Sequence, residues 1–347
     1  MLASNQSIME KARMGGSLSD ISKMTGLGIT TVSEILRDKP GYRQETRQIV
    51  LKAARQLNYR PNLVARGLKS RRSMTIGVIV GAFHSPILTE KLSQIVRQAK
   101  AQGYIPFVLE STSRESQGLL ETVNHLLDRQ VDGLIMMQMH TLEEIVLERL
   151  RNITIPTVFV GWSPQDWPWQ VWYERQAAMH EALTYAASLG HRQAMVVRSP
   201  SDVAFPRHKH LQWVEASKGT GIDVQVSDDF TFEPSDNYRA SAYEMFTRHA
   251  KAGTLPDLVL MNNDASAMAA VAALHDAGLR VPQDMSVIGF DDTAEAMYCR
   301  PGLTTIRQPR SEVGQAVLDI LFKAMTQAQQ EMAISLPYRL GVRESVG

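Results

Sequence analysis

Residues 17–36, SLSDISKMTGLGITTVSEIL, are the stretch whose reading decides the fold of this chain. Leu18, Ile21 and Ser22 fall at i, i+3 and i+4, and Val32, Ile35 and Leu36 repeat that spacing, so each half predicts a short amphipathic helix. Gly26 stands where the chain reverses between them. Thr30, Thr31 and Ser33 place small polar side chains near the start of the second helix. A helix so equipped fits the major groove of B-DNA and offers its first side chains to base edges. Two helices of an ordinary core would show the same periodicity, so the motif is weighed against the remaining residues.

Charge favours the nucleic-acid reading. The net charge of the 347 residues is only +1. Residues 1–72, however, hold 14 Lys/Arg against 5 Asp/Glu, a net +9, while the rest hold 23 against 31, a net −8. A basic head on an acidic body is what neutralising phosphates and releasing their counterions requires. The head continues through a turn at Asp38–Gly41 into a third helix, 43–57, with Ile49, Leu51, Ala53, Ala54 and Leu57 available for its apolar face. Three such helices close a core of about 60 residues, marginal alone and suited to a module tethered to a larger body. Residues 58–72, NYRPNLVARGLKSRR, are too basic for a core strand, and Pro61 suits the first turn of a short helix.

From Met74 the texture alternates. The β-branched run 75–80 predicts a strand buried on both faces of a parallel sheet. Helices over 87–102, 114–129 and 142–150 alternate with strands over 105–109, 133–137 and 157–160. The rhythm restarts with helix 176–189 and strands at 194–197, near 224–226, at 258–261 and at 286–290, separated by helices near 207–218, at 237–250 and at 265–278. Two such runs predict two doubly wound lobes, with the carboxyl ends of both sets of strands along one shared cleft.

Composition narrows the function. Hydrophobic residues make up 44% of the chain, yet no apolar run is long enough to cross a bilayer, and the N-terminus lacks a basic-then-apolar signal. Cys299 is the one cysteine, so no intrachain disulfide and no cysteine-based metal cluster is encoded, and a packed thiol is expected there. These features predict a cytoplasmic protein. Gly-x-Ser-x-Gly, a phosphate-cradling loop and clustered metal ligands are all missing, and the nine histidines are scattered. The expectation is a non-enzyme without cofactor or metal.

Taken together, the residues resemble the LacI/GalR family of bacterial transcriptional regulators, from about Ser17 to Gly347. The anchors are Thr31-Val32-Ser33, the run Asn58-Tyr59-Arg60-Pro61-Asn62 through Leu68, Leu189-Gly190-His191-Arg192, Asn263-Asp264, the stretch Val281 to Asp292, Leu303 to Pro309, and Val342-Arg343-Glu344-Ser345. Their joint order and spacing carry the resemblance. It implies an all-α helix-turn-helix headpiece at 1–60 and a hinge helix or linker at 61–72. It also implies an α/β periplasmic-binding-protein-like core at 73–347, made of two doubly wound parallel-sheet lobes. Lobe one would take 73–172 and 309–335, and lobe two 173–308 and 336–347.

The resemblance also implies a homodimer on a pseudo-palindromic DNA operator. Ile29 and Thr30 fall where the family reads base edges, and Ser17, Thr31 and Ser33 where it contacts phosphate. Ala65 and Leu68 fall in the hinge, Leu68 as an apolar wedge that opens a minor-groove step; burial of Leu68 against the body is the competing role. Glu34 stands where the family usually has arginine. A carboxylate there can accept from the cytosine amino group but cannot pair with phosphate or guanine, so an atypical operator is expected. Gly28 replaces a common serine and removes a possible cap. Residues 1–13 precede the family's usual start, which leaves open a basic arm or an upstream start codon with Met14 as the alternative to Met1.

In the core, the resemblance implies a small-molecule effector, a sugar or sugar derivative, held between the lobes. Asp291 and Asn263 match an acid and an amide that bond ligand hydroxyls, and Lys209 falls where an arginine is common. Phe232 matches a stacking aromatic, Tyr173 lies at the first crossover, and Ser85 follows the first strand. His84 reads as a surface loop residue and Asp292 as a cap or lobe-packing group. Trp162, Trp167, Trp169 and Trp172 cluster within 11 positions, either as a sugar-stacking platform or as cover for the core. With no leucine heptads at the C-terminus, a dimer is expected. The functional expectation is a sequence-specific regulator, in the first instance a repressor, tuned by that effector. The competing reading is a solute-binding protein without DNA function, against which the +9 head and the missing signal count.

Overall fold

The computed structural model describes residues 16–59, 72–81, 83, 85–111, 116–137, 142–161, 164, 166–198, 209–231, 238–327 and 330–347. The chain divides into two units, residues 1–73 and 74–347. Among the described residues no helix is long and apolar enough to cross a membrane.

In the first unit, α1 (Leu18–Thr25), α2 (Ile29–Leu36) and α3 (Gln44–Gln56) follow one another. Ser17 caps α1 reciprocally: its hydroxyl accepts from Asp20 N–H at 3.2 Å while the Asp20 carboxylate accepts from Ser17 N–H at 2.9 Å. Such a cap contributes about 1 kcal/mol. Gly26 ends the helix at φ 69°, a left-handed turn that glycine takes without a Cβ penalty, and its N–H reaches Ser22 O at 2.9 Å. The core is Ile21, Val32, Ile35, Val50, Ala53 and Ala54, ringed by Leu18, Leu27, Leu36, Tyr42, Leu57 and Tyr59. Here one expectation is corrected. The apolar face of α3 is Val50, Ala53, Ala54 and Leu57, a strict i, i+3, i+4, i+7 set; Ile49 lies one residue round the helix and is 54% exposed.

The second unit holds two six-stranded sheets. The first is built from β1 (Thr75–Val80), β2 (Ile105–Glu110), β3 (Leu134–Met137), β4 (Thr157–Val160), β5 (Trp169–Glu174) and a late strand, Met332–Pro337. All of its pairings are parallel. Between these strands run α4 (Pro86–Ala101), α5 (Ser116–Asp128) and α6 (Glu144–Arg151). The second lobe adds α7 (Gln176–Ser188), β6 (Gln193–Arg198), α8 (Lys209–Ala216), β7 (Asp223–Thr231), α9 (Tyr238–Ala252) and β8 (Leu258–Leu260). It continues with α10 (Asp264–Asp276), β9 (Ser286–Asp291), α11 (Ala294–Tyr298) and β10 (Thr304–Arg307). The chain then returns through α12 (Arg310–Ala324) and β11 (Met332–Pro337) to the first sheet, and ends through β12 (Arg339–Gly341) in the second. The strand orders are β11-β5-β4-β3-β1-β2 and β12-β10-β9-β8-β6-β7.

Two features depart from the expectation. Residues 169–174 form strand β5 within the first sheet, with Trp169 opposite Met332 and Trp172 opposite Ser335. Aromatic residues on both faces of this strand hid its period of two. β12 pairs with β10 antiparallel, whereas the other pairings in its sheet are parallel. The topology requires this. The chain leaves β5, β10 and β11 at their carboxyl ends to change lobes, and a strand that enters the second sheet from that side must oppose those that finish there.

Gly289, inside β9, is tightly packed in the second lobe. A Cβ added there would lie 2.4 Å from Asp264 Oδ1 and 2.6 Å from Leu303 Cδ2. Asp264 cannot yield easily, because its carboxylate accepts from Thr305 Oγ1 at 2.6 Å and Thr293 N–H at 2.7 Å. Gly289→Ala is therefore expected to lower stability by about 1–3 kcal/mol. Denaturant unfolding should show a lower midpoint at unchanged slope; an unaltered midpoint would contradict this packing.

Candidate functional site

On the head, α2 opens at Gly28, which offers no side-chain cap, so the first N–H groups of the helix face outward uncovered by a side chain. Ile29 at its first position is 52% exposed, an apolar side chain in water without a structural task. Thr30 is exposed beside it, and Thr31 and Ser33 are half-buried on the flank. Lys23, Arg37, Arg43, Lys52 and Arg55 stand exposed around this small unit. Ser17 is exposed as well, but its hydroxyl is engaged in the α1 cap.

Glu34 is tied within the head. One carboxylate oxygen takes the Lys39 amine at 2.9 Å and the other takes the Tyr42 hydroxyl. These two contacts, Tyr42 first, hold the half-buried carboxyl below its usual range, and the bond to Glu34 pushes the Tyr42 phenol up. Arg47 finishes the clasp by pairing with Asp38 and donating to Lys39 O at 2.7 Å. Glu34 thus fastens the turn after α2 to the lead-in of α3. Its pairing with a tyrosine eight residues on left no local signature in the sequence.

In the core unit, polar groups collect where the chain changes lobes. Gln308, between β10 and α12, accepts from the Lys91 amine and from Tyr338 OH at 2.8 Å, and its amide donates to Asp291. Tyr338 lies between β11 and β12, and its ring sits 5.4 Å from that of Tyr173 at the end of β5. Lys209, the first residue of α8, donates to Asn262 O at 2.7 Å and lies 4.0 Å over the Phe290 ring. Burial pushes the Asp291 carboxyl up and the Lys91 ammonium down; Lys209 opposes the first and Asp291 the second. Burial also raises both tyrosine phenols, so each remains a neutral donor.

Two models of known families match this chain. Bacterial regulatory proteins of the lacI family match at residues 17–62, and a periplasmic binding protein-like domain at 183–346. The chain is 29% identical over 335 residues to the HTH-type transcriptional repressor PurR of Pasteurella multocida, covering 95% of this chain and 98% of the relative. It is 29% identical over 315 residues to the ribose operon repressor of Escherichia coli K12, covering 89% and 93%. The chain thus joins a helix-turn-helix head of the lacI family to a periplasmic binding protein-like core. Its fold is shared with the lac repressor dimer bound to operator and the anti-inducer ONPF, at 24% identity, a TM-score of 0.82 and coverage of 96% and 99%. The CelR–cellobiose complex shares it at 23% identity, a TM-score of 0.67 and coverage of 95% and 99%.

The structure brings together Tyr173, Lys209 and Asp291 of the expected effector residues. Ser85 is the residue before α4, where its carbonyl accepts from Thr89 N–H at 3.0 Å. Asn263 is turned elsewhere: its oxygen caps α10, accepting from Ser266 N–H at 2.8 Å and Ser266 OH at 3.0 Å. The neighbouring Asn262 is 5% exposed, and neither atom of its amide has a hydrogen-bond partner among the described residues. Trp167 and Trp169 are structural. Trp167 donates to Thr157 O at 2.8 Å and packs edge-on against Phe159, and Trp169 donates to Gln330 O at 3.0 Å. Ala65, Leu68, His84, Trp162 and Phe232 lie outside the described residues. Lys91, Gln308 and Tyr338 were missed; the strand-and-helix rhythm passes over them because two occupy crossovers and one sits on an apolar helix face.

Asp292 is 4% exposed and is gripped by Arg307 and Arg343, with Arg310 at 4.0 Å. Burial alone would raise its carboxyl; the two arginines more than offset this and leave it below its usual range. The contribution of a depressed carboxyl is present above its unfolded value, near 3.9, and is lost as pH falls through the folded one. Asp292→Asn should thus cost on the order of 3 kcal/mol at pH 7. The gap to wild type should close below about pH 4. Unfolding curves of both proteins at several pH values test this, and a pH-independent gap would rule out the ion pairs as its source.

Proposed function

We propose that this chain is a cytoplasmic, homodimeric, sequence-specific transcriptional repressor of the LacI family, whose grip on a pseudo-palindromic operator is set by a small hydroxylated effector. The observation that carries the reading is the pairing, in one polypeptide, of an outward-facing α2 under a +9 head with a buried polar cluster at the junction of two lobes. Ile29 and Thr30 read base edges, the basic residues take phosphates, and residues 61–72 form the hinge with Leu68 as its wedge. Exposed Met297 and Tyr298 on α11, 51% and 74% accessible, suit a surface covered by a second copy.

Effector action follows from linkage. A ligand that binds one lobe arrangement more tightly than another shifts the population, and operator affinity follows reciprocally. Asp291 and Asn262 accept and donate to ligand hydroxyls, and the Tyr173 and Phe290 rings supply apolar faces. No group of this site acts on a bond: the role is binding, not catalysis. The repressor names of PurR and the ribose operon relative, and cellobiose in CelR, support a repressor with a sugar-like effector.

Gel shifts with the duplex upstream of the chain's own operon test the reading; a shift with no sequence preference and no salt sensitivity would sink it. Ile29→Ala is expected to weaken specific binding tenfold or more, about 1.4 kcal/mol, while binding to random duplex changes little. Leu68→Ala should likewise act on specific binding far more than on non-specific binding, and equal losses would remove the wedge.

A further inference from the structure

Three aromatic rings form a row at the lobe junction, Tyr173, Tyr338 and Phe290, with centroids 5.4 and 5.6 Å apart. Each has a cation on a face: Lys91 at 4.1 Å, Arg175 at 5.7 Å and Lys209 at 4.0 Å from the respective centroids. The acids nearby are mostly spoken for. Asp292 is held by Arg307 and Arg343, Asp264 by Thr305 and Thr293, and Glu90 by Arg310 at 2.5 Å. Asp291 is the carboxylate whose field reaches both lysines.

Lys91 is the most deeply buried of the three cations. It is 3% exposed on a helix face it shares with Ile87, Leu88, Leu92 and Ile95. An ammonium carries three donors, and among the described residues the one hydrogen-bond acceptor is Gln308 Oε1, with no carboxylate within 4 Å. A buried charge so placed is costly unless something else supplies an anion. Beside Lys209, which donates to its main-chain oxygen at 2.7 Å, the Asn262 amide is buried and has no hydrogen-bond partner among the described residues.

We infer that the effector is a small hydroxylated molecule bearing one acidic group, carboxylate or phosphate, whose anion is received by Lys91 and Lys209 and whose hydroxyls meet Asp291 and Asn262. This rests on the regulator reading above and narrows its ligand. A neutral sugar would leave Lys91 and Lys209 with Asp291 as the one acid whose field reaches both. An acid neutralises it and completes the ammonium's hydrogen bonds with charge-assisted ones.

The test is calorimetric titration of the full chain with D-glucose, D-gluconate, D-glucuronate and D-glucose 6-phosphate, and with D-ribose, D-ribonate and D-ribose 5-phosphate. At least one acid should bind tenfold or more tightly than its neutral parent, and Lys91→Met should reduce that preference below twofold. Preference for the carboxylates assigns that group, and preference for the phosphates assigns the other. Neutral parents binding as tightly as every acid, no acid binding, or a preference retained in Lys91→Met each overturns the inference. Unliganded Lys91→Met should melt at or above the wild-type temperature, since Tyr338 still donates to Gln308 at 2.8 Å. A midpoint several degrees lower would make Lys91 a support of the fold and overturn its assignment to the ligand. An operator shift that persists while every acid fails sinks this inference alone; acid binding without any operator shift sinks the regulator reading instead.

Discussion

Gln308 is the constraint on which the core unit depends. Three segments pass between the lobes, after β5, β10 and β11; Gln308 lies on the second and bonds Tyr338 on the third. Its oxygen takes a lysine from α4 and a tyrosine from the last crossover, and its nitrogen donates to the acid that ends β9. At 9% exposure this hub exchanges its partners with difficulty. Partly buried networks have few satisfied arrangements, so they switch between discrete states more readily than they deform. A ligand that draws on Asp291 or Lys91 competes directly with Gln308, and the crossovers then carry the change to both sheets. In the proposed reading, recognition and lobe geometry share the same hydrogen bonds.

The head obeys a different economy. Its core of six buried residues is small, and its stability leans on local devices: the Ser17–Asp20 cap, the left-handed Gly26, and the Glu34–Tyr42–Lys39 clasp. The clasp also bears on recognition. In the proposed reading α2 meets DNA through Ile29 and Thr30 of its first turn, while the Glu34 carboxylate is already paired with Lys39 and Tyr42. Glu34 acts on the head by fastening the turn after α2 to the lead-in of α3.

Much of this architecture was legible in the residues. The β-branched run of β1, the alternation through β9 and the two short helices of the head follow from periodicity alone. Period fails where a residue type contradicts its environment. Lys91 sits on an apolar helix face, where a pattern of hydrophobic residues treats it as an interruption. Val50 and Ile49 are both apolar and adjacent, and only the rotation of α3 decides which is buried. Asn262 and Asn263 are chemically identical neighbours: one lies just after β8 and buries its amide, the other caps the next helix. β5 and β12 were obscured because one alternates between two aromatic faces and the other is three residues long.

Asp291 and Asp292 show how the site keeps its shape. Both follow Phe290 with positive φ, 122° and 56°, values that cost side-chain-bearing residues of order 1–3 kcal/mol each. Such a backbone persists only where neighbours overdetermine it. Arg307 and Arg343 seize Asp292 from β10 and from the segment after β12, while Gln308 seizes Asp291 from the crossover. The paired aspartate is thus the fixed point, and Asp291 beside it is held by the Gln308 amide. Rigid support from one acid lets the other hold its carboxylate in a protein environment that would otherwise turn it away, and that division of labour makes two adjacent aspartates at a strand end chemically distinct.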